Sequence, residues 1–294
     1  MSQPDNPSLL INLWSLTKPR LSFLVVITAA GGWWMAPIYS EWTIGFLAVL
    51  GTTLTVASAN VFNNYLERES DQLMVRTQSR PLAAQRIPPF YALFFGSALC
   101  LIAIPMLTLL VHPLSGLLAG IALVSYVMIY TPLKRTSSFN TLVGAFPGAM
   151  PPLIGWVSAT GLIDIGGVLL FSILFLWQIP HSLAIAIYRG PEYQNAGLII
   201  LPNDKGLDVT RRQMLLYTTL LLPLPLLLSM MNITGILTAA VGSALGLWWL
   251  YLAWIGFTQE LKATWARRFF LSSLVYLTGL FGVITIDVLL ARYL

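Results

Sequence analysis

The chain is poor in cysteine, histidine and charge: its 294 residues include one cysteine, two histidines and 9% charged residues. A single cysteine cannot form a disulfide within the chain, so the fold does not depend on one. The low charge, with 57% hydrophobic residues and a mean hydropathy of +0.77, indicates an integral membrane protein. The sequence also lacks the short alternating segments of a membrane β-barrel. Its apolar runs of about 20 residues predict helical spans instead.

Nine apolar runs are long enough to cross a membrane, and they predict an all-α polytopic fold. The predicted spans are residues 21–39, 43–63, 91–111, 115–131, 140–158, 166–187, 213–231, 235–257 and 269–290. We expect one transmembrane domain over residues 1–294. Residues 1–17 are mostly polar, and no small-residue cleavage pattern follows a short apolar core, so we expect no cleaved signal peptide.

The basic residues predict the orientation. Nine spans put the termini on opposite sides, and every Lys and Arg except Arg292 then lies on one side. By the positive-inside rule this side is cytoplasmic, so residues 1–17 form a short cytoplasmic segment and the C-terminus lies outside. The formal net charge of +5 therefore reflects topology and contact with anionic headgroups, and it does not indicate nucleic acid binding.

A polar segment, ASANVFNNYLERESDQLMVRTQSRPLA, follows the second span. On a helix with 100° per residue, five of its polar side chains share an arc of roughly 100°, whereas Glu69 points nearly the opposite way. The five are Asn60, Asn63, Asn64, Glu67 and Asp71. Hard cations take oxygen ligands from a few carboxylates plus substrate phosphates. The stripe therefore predicts a site for a divalent cation that carries a diphosphate.

Several cations on the same side are candidates for binding that diphosphate. Arg76 and Arg80 follow the acidic stripe, and Lys134 and Arg135 follow a proline that ends the fourth span. The hydroxyls and the amide that follow Arg135 complete the composition of a diphosphate clamp. For Arg76 and Arg80 the alternative interpretation is a charge that only sets the topology.

A third polar segment, IPHSLAIAIYRGPEYQNAGLIILP, contains His181 within the sixth span and Arg189 and Glu192 after it. A histidine in an apolar span usually needs a partner. As a neutral imidazole it can ligate iron or act as an acid or base, and the alternative is a packing role. We expect His181 to face a cavity. The alternative for Glu192 is an exposed loop carboxylate.

The fifth span, VGAFPGAMPPLIGWVSATG, combines four glycines with three prolines. Small residues permit close approach of helices, and prolines interrupt their hydrogen bonding. The segment predicts a closely packed helix that is broken or kinked.

Four ordered blocks resemble the UbiA superfamily of intramembrane prenyltransferases, and within it they are most similar to the protoheme IX farnesyltransferases. The blocks are LTKPRLSFLVVITAAGGW, ASANVFNNYLERESDQLMVRTQSRPLA, YTPLKRTSSFNTLVGAFPGAMPPLIGWVSATG and FLWQIPHSLAIAIYRGPEYQNAGLIILP. The part NNYLERESD carries the first polar signature of the superfamily: two polar residues, an acid four positions after the first, and another acid four positions later.

The resemblance implies a ring of nine helices around a central cavity, with the polar signatures at its cytoplasmic mouth. It implies transfer of the farnesyl group of farnesyl diphosphate to the 2-vinyl group of heme b with addition of water, which gives heme O and diphosphate. The implied cofactor is Mg²⁺, and the implied location is a bacterial inner membrane with the active site at the cytoplasmic side and a periplasmic C-terminus. Besides both substrates and membrane lipid, a heme A synthase or a terminal oxidase assembly is a candidate partner.

The resemblance also implies roles for individual residues. It implies catalytic roles for Asn63, Glu67, Asp71, Lys134 and Arg135. It implies diphosphate binding by Asn64, Arg76, Arg80, Lys134, Arg135 and Arg189. It implies metal ligation by Asn63, Glu67, Asp71 and Glu192, and heme binding by His181.

The chain departs from the family pattern at four places. Glu67 and Glu69 stand where aspartates are usual, and Ser182 and Leu183 replace an aromatic pair after the histidine. The second motif offers the single acid Glu192 where paired acids are usual. This shifts the expected neutralisation of the diphosphate toward Arg189, Lys134 and Arg135.

Two other functions remain open at this stage. A sister prenyltransferase would use the same metal site with a quinone precursor such as 4-hydroxybenzoate as the acceptor. A membrane transporter would also carry polar groups and broken helices in its spans. The transporter is disfavoured because the charges gather at one membrane face and no internal repeat is visible.

Overall fold

The computed structural model describes residues 7–38, 40–258 and 263–293, and every regular element within these ranges is helical. The helices are α1 (Leu9–Leu16), α2 (Pro19–Met35), α3 (Trp42–Gln72), α4 (Pro89–Met106), α5 (Pro113–Val124), α6 (Thr131–Leu133), α7 (Asn140–Thr160), α8 (Ile165–Tyr188), α9 (Gly190–Asn195), α10 (Leu201–Asp204), α11 (Gly206–Leu221), α12 (Leu224–Met230), α13 (Ile236–Thr258) and α14 (Ala263–Tyr293). Two π-helical segments, Leu107–Val111 and Ser125–Tyr130, continue α4 and α5. The all-α prediction is confirmed.

Eight helical stretches of the described chain are long and apolar enough to cross a membrane. They are Trp42–Gln72, Pro89–Val111, Pro113–Leu133, Asn140–Thr160, Ile165–Tyr188, Gly206–Met230, Ile236–Thr258 and Ala263–Ala291. The remaining predicted span, residues 21–39, corresponds to α2, whose 17 residues are at the short end of the range for a spanning helix. The chain is an integral membrane protein of about nine membrane helices.

Helix α1 lies within the segment that the sequence presents as mostly polar. Its N-cap residue Ser8 accepts a hydrogen bond from the backbone of Ile11, which satisfies one free donor of the first turn. The helix exposes Leu10, Ile11 and Trp14 and buries Asn12 and Leu16. An exposed apolar face on a short helix is typical of a helix that lies in the membrane interface.

Helix α3 is longer than its predicted span because it continues through the polar stripe. Its 31 residues, at a rise of 1.5 Å each, give a length of about 46 Å, against about 30 Å for the hydrocarbon core of a bilayer. Its last turns therefore extend past the apolar part of the bundle. The continuous helix keeps the i, i+4 spacing of the stripe intact.

The three prolines of α7 do not interrupt it, since the helix runs from Asn140 to Thr160 without a break. Of the two predicted alternatives, the broken helix is therefore wrong, and the kinked helix stays a prediction. Membrane helices tolerate proline because neighbouring groups satisfy the freed backbone. Interruptions occur elsewhere, at the two π-helical segments and at Pro223, which separates α11 from α12.

The predicted close packing of α7 is confirmed by its contact with α2. A Cβ atom on Gly32 would lie 2.0 Å from the carbonyl oxygen of Pro152, and one on Gly155 would lie 2.0 Å from that of Ala29. Both positions therefore require glycine. This contact closes one side of the space that α2, α3, α5, α7 and α8 surround.

Candidate active site

Two adjoining cavities lie within this helical ring. The deep cavity has a volume of 310 Å³ and a mainly apolar wall that includes Val25, Thr55, Val56, Ala59, Leu123, Gly144, Pro147, Gly148 and Pro151. The polar cavity has a volume of 250 Å³ and is lined by Asn63, Glu67, Asp71, Arg76, Arg80, Lys134 and Tyr193, among others. Both are lined by Lys18, Tyr126, Tyr130, Thr141 and Ser182, so they meet along that boundary.

The two acids of the α3 stripe are each paired with a cation in the polar cavity. Lys134 Nζ lies 2.6 Å from Glu67 Oε1, and Arg80 Nη1 donates to both oxygens of Asp71 at 2.8 and 2.6 Å. The Asp71 side chain is 1% exposed and that of Glu67 is 12% exposed. A buried charge without a partner is strongly destabilising. The pairs therefore hold four of the predicted site residues together.

The amide of Asn63 connects this site to the start of α2. Its Oδ1 accepts a hydrogen bond of 2.6 Å from Lys18 Nζ, and its Nδ2 donates to Thr131 Oγ1 at 3.3 Å. Lys18 was considered in the sequence only as a charge that sets the topology. A lysine directly before the proline that begins a membrane helix is the signal that could have identified it.

The two half-buried lysines of the polar cavity have opposite pKa shifts. Burial, followed by the charge of Arg80, lowers the pKa of Lys18 to about 7. Burial also lowers the pKa of Lys134, but Tyr130 and the Glu67 carboxylate raise it by more, so the pKa lies well above the ordinary lysine value. Lys134 is therefore a permanent cation in this site.

An aromatic wall that was not predicted from the sequence lines both cavities where they meet. The rings of Tyr126 and Tyr130 lie 5.2 Å apart, and Lys134 Nζ lies 4.5 Å from the centre of the Tyr130 ring. Tyr193 reaches the polar cavity from α9. The face of an aromatic ring attracts a cation, so this wall can stabilise positive charge at the boundary.

Asn64 and Arg135 were predicted to bind diphosphate, but the structure does not bring them into the polar cavity. Asn64 Nδ2 donates to the backbone oxygens of Leu16 and Asn60. Arg135 is exposed, in contrast to its neighbour Lys134. A clamp made by two consecutive cations requires both to point the same way, and the turn after α6 separates them.

The acid of the second motif also lies outside the polar cavity. Glu192 pairs with Arg189 across one helical turn, with both side chains about one-third exposed. The same block contributes backbone instead: Ile199 N donates to Lys134 O at 2.8 Å, and Asn140 Nδ2 donates to Ile199 O at 2.6 Å. The block therefore fixes the segment that carries Lys134.

His181 packs between α8 and α14 and lines neither cavity, so the expectation that it faces the cavity is wrong. Its ring stacks on Trp177 with centroids 4.5 Å apart and lies 4.9 Å from the ring of Phe270. Its Nδ1 is 2.7 Å from Ser273 Oγ. The adjacent Ser182 takes the cavity position because successive helix residues point about 100° apart.

The oxygen donors of the polar cavity fit a divalent cation that keeps part of its coordination for substrate. Within the described ranges, no group of three or more His, Cys, Asp and Glu side chains could hold a metal ion alone. Glu67, Asp71 and Asn63 offer two carboxylates and one amide oxygen. Mg²⁺ is usually held by one or two carboxylates, waters and substrate phosphates, so this set suits Mg²⁺ bound together with a diphosphate.

Known proteins resemble the chain in sequence and in fold. It is 46% identical over 281 residues to the protoheme IX farnesyltransferase of Myxococcus xanthus, covering 96% of each chain. Its fold matches a digeranylgeranylglyceryl phosphate synthase with a TM-score of 0.79 and 16% identity, covering 95% of this chain and 98% of the other. It also matches a UbiA homologue from Archaeoglobus fulgidus bound to GPP and Mg²⁺, with a TM-score of 0.71 and 15% identity. This match covers 93% of this chain and 99% of the other.

The match to the UbiA prenyltransferase family extends over residues 24–274, which contain the whole α3 stripe, Lys134 and the second polar block. The cavities, the ion pairs and the helical ring all lie in or beside this region. The chain therefore belongs to the UbiA prenyltransferase family and is a prenyltransferase enzyme.

Proposed function

We propose that this chain transfers the farnesyl group of farnesyl diphosphate to the 2-vinyl group of heme b with addition of water, giving heme O and diphosphate. The observation that carries the proposal is the 46% identity to a protoheme IX farnesyltransferase over 96% of both chains. A polar cavity that opens directly into an apolar one supports it, because an allylic diphosphate has one end of each kind.

The polar cavity binds the diphosphate end. Asn63, Glu67 and Asp71 would hold Mg²⁺, which when bound neutralises charge on the diphosphate so that it can leave. With the carboxylates engaged in this way, Lys134 and Arg80 would turn their N–H donors from Glu67 and Asp71 to the phosphate oxygens. Arg76, which also lines this cavity, adds a further cation. Preorganised donors of this kind stabilise charge that develops in the transition state.

The deep cavity receives the farnesyl chain, whose C1 atom then lies at the boundary between the cavities. Loss of diphosphate leaves positive charge on the allylic carbons beside the rings of Tyr126 and Tyr130. These rings stabilise the cation and exclude water until the vinyl group attacks. Water then adds to the cation that this attack produces on the heme side chain and releases a proton, which leaves a hydroxyl group there.

Five further residues have roles that only the family resemblance implies, and the structure restricts how they could act. They are Asn64, Arg135, Arg189, Glu192 and His181. Iron ligation by His181 requires the heme to approach Nε2 from the α8–α14 side, since Nδ1 is bonded to Ser273. Metal ligation by Glu192 requires it to leave Arg189. Glu67 and Asp71 must also leave their cations, but their side chains already line the polar cavity.

The cellular setting is also part of the proposal. The cations that line the polar cavity come from the loops that the positive-inside rule assigns to the cytoplasm. We place residues 1–294 in one domain in a bacterial inner membrane, with a cytoplasmic N-terminus, a periplasmic C-terminus and a cytoplasmic active site. A heme A synthase or a terminal oxidase assembly would accept the product.

The test is incubation of membranes that contain the protein with heme b, farnesyl diphosphate and Mg²⁺, followed by extraction of the pigment and mass analysis. We expect a heme heavier by one farnesyl group and one hydroxyl group, and no such product from membranes with the Glu67→Gln variant. Efficient prenylation of 4-hydroxybenzoate with unmodified heme would instead establish a quinone-precursor enzyme. Absence of both products would contradict the proposed transfer.

A further inference from the structure

The polar stripe of α3 is divided between two tasks. Asn63, Glu67 and Asp71 line the polar cavity. Asn60 and Asn64, one helical turn apart, direct their amide donors at the junction between α1 and α2, and Asn60 also contributes to the wall of the deep cavity. Because Asn63 and Asn64 are consecutive, their side chains point about 100° apart and meet different neighbours.

Asn60 and Asn64 bind the backbone of that junction. Asn64 Nδ2 donates to Leu16 O at 3.0 Å, and Asn60 Nδ2 donates to Thr17 O at 3.1 Å. Asn60 Nδ2 also donates to Ser22 Oγ at 3.1 Å, and Ser22 Oγ donates to Thr17 O at 3.0 Å. All five residues are buried. Two carbonyl groups at the end of α1 are thus fixed by side chains of α3.

The next residue, Lys18, has a strained backbone. Its φ of 52° and ψ of 56° lie in the left-handed region, which is unfavourable for a residue with a side chain. Such a conformation persists only where the surroundings determine it, and it occurs preferentially at functional sites. The bonds from Asn60 and Asn64 to the two preceding carbonyls supply that constraint.

The left-handed turn aims Lys18 at the boundary between the two cavities. Its Nζ bonds to Asn63 Oδ1 at 2.6 Å, and the side chain lines both cavities. Its charged neighbours are Arg80, Glu67, Lys134 and Asp71. An ammonium group here can donate to a phosphate oxygen at the end of a chain that occupies the deep cavity.

We infer that Lys18 binds the diphosphate of the prenyl substrate, and that Asn60 and Asn64 are positioning residues that act through Lys18 and are not ligands themselves. The inference rests on the proposed function, and it assigns a task to three residues that the family resemblance leaves without one or gives another. It predicts that the effects of substitutions at Asn64 and Lys18 are coupled.

The first test is Lys18→Asn, because asparagine tolerates the left-handed conformation and removes the ammonium. The measurement is the Kd of purified protein for farnesyl thiodiphosphate with Mg²⁺. A charge-assisted hydrogen bond lost from a buried site predicts binding weaker by roughly 10- to 100-fold. The matched control is Asn195→Ala, an exposed asparagine of α9, which should bind as the unmodified chain does.

The second test is a double-mutant cycle with Asn64→Ala, repeated with Asn60→Ala so that it does not depend on one variant folding well. Each single variant should weaken binding of the analogue, and neither should weaken it further when Lys18→Asn is already present. Losses that multiply in the double variants would show direct contact between an asparagine and the ligand and would overturn the inference. Normal binding of the analogue by Lys18→Asn would overturn the inference. If the unmodified chain still forms heme O in that case, the proposed function stands. If the unmodified chain does not bind the analogue, the proposed function fails as well.

Discussion

The two polar blocks of this chain look similar in sequence and differ in structure. In the first block, Glu67 pairs with a lysine 67 positions away, and Asp71 is 1% exposed. In the second, Glu192 pairs with Arg189 three positions away, and both side chains are about one-third exposed. A local pair near the surface contributes little to stability, whereas buried pairs between distant segments hold a site together. The residue with which an acid pairs therefore indicates a site better than the acid itself does.

The difference originates in the helices that carry the blocks. Helix α3 continues to Gln72, so one helical periodicity fixes Asn63, Glu67 and Asp71 relative to the cavity. Helix α8 ends at Tyr188, and Glu192 belongs to the short helix α9. The direction of Glu192 thus depends on the turn between the two helices.

The largest loss of turnover is expected when the acids of the first block are neutralised. Glu67→Gln and Asp71→Asn should each lower turnover by at least about a hundredfold, because each removes a carboxylate needed for Mg²⁺. The measurement is formation of heme O in membranes with matched amounts of inserted protein. Full activity of both variants, or normal activity of the unmodified chain in excess chelator, would refute the metal assignment.

The next effect separates two consecutive cations. Lys134→Ala should lower kcat by roughly ten- to a hundredfold, because Lys134 is buried against Glu67. Arg135→Ala should change it by about twofold or less, as is usual for an exposed site. Steady-state kinetics with farnesyl diphosphate distinguishes the two. If both variants lost kcat equally, the result would support the diphosphate clamp of two consecutive cations that the sequence predicts.

The fold could be predicted largely from the sequence, because the length of an apolar run is set by the thickness of the bilayer. All nine predicted spans fall on described helices, although α3, α11 and α14 extend six to nine residues past their spans and the span 213–231 is divided between α11 and α12. Helix α1 was missed because its apolar residues, such as Leu10 and Trp14, are too few to form a span. The three prolines of α7 wrongly indicated a break in the helix. The free-energy cost of the backbone hydrogen bonds that they remove is offset by contacts with neighbouring helices.

The candidate site could be predicted only in part. Helical periodicity places Asn60, Asn63 and Asn64 on one arc of α3, but it does not say which neighbour each part of the arc meets. Lys18 and Tyr126 come from other segments and carry no motif of their own in the sequence analysis. Periodicity describes a helix about its own axis, and a site depends on what packs against it.

A smaller effect is expected at His181, which tests whether the second block contacts heme. If Nε2 ligates the iron, His181→Ala should weaken heme b binding by about tenfold, equivalent to about 1.4 kcal/mol, and shift the heme absorption spectrum. The Kd for the farnesyl diphosphate analogue should stay the same. Ser273→Ala is the matched control, since it removes the partner of Nδ1 and keeps the imidazole. An unchanged spectrum with near-normal turnover would give His181 a packing role against Trp177 and Phe270.

The smallest effect should come from Glu192, and it tests the comparison most directly. Since its carboxylate is bonded to Arg189 and lies outside the polar cavity, Glu192→Gln should lower turnover by about twofold or less. The Mg²⁺ concentration that gives half-maximal activity should not change. If Glu192 were a metal ligand, its loss would raise that concentration. The informative control is Arg189→Gln, which breaks the same pair from the other side. If both variants behave alike, the pair is local. If Glu192→Gln alone raises the Mg²⁺ requirement, Glu192 leaves Arg189 during the reaction, and the second block contributes a metal ligand after all.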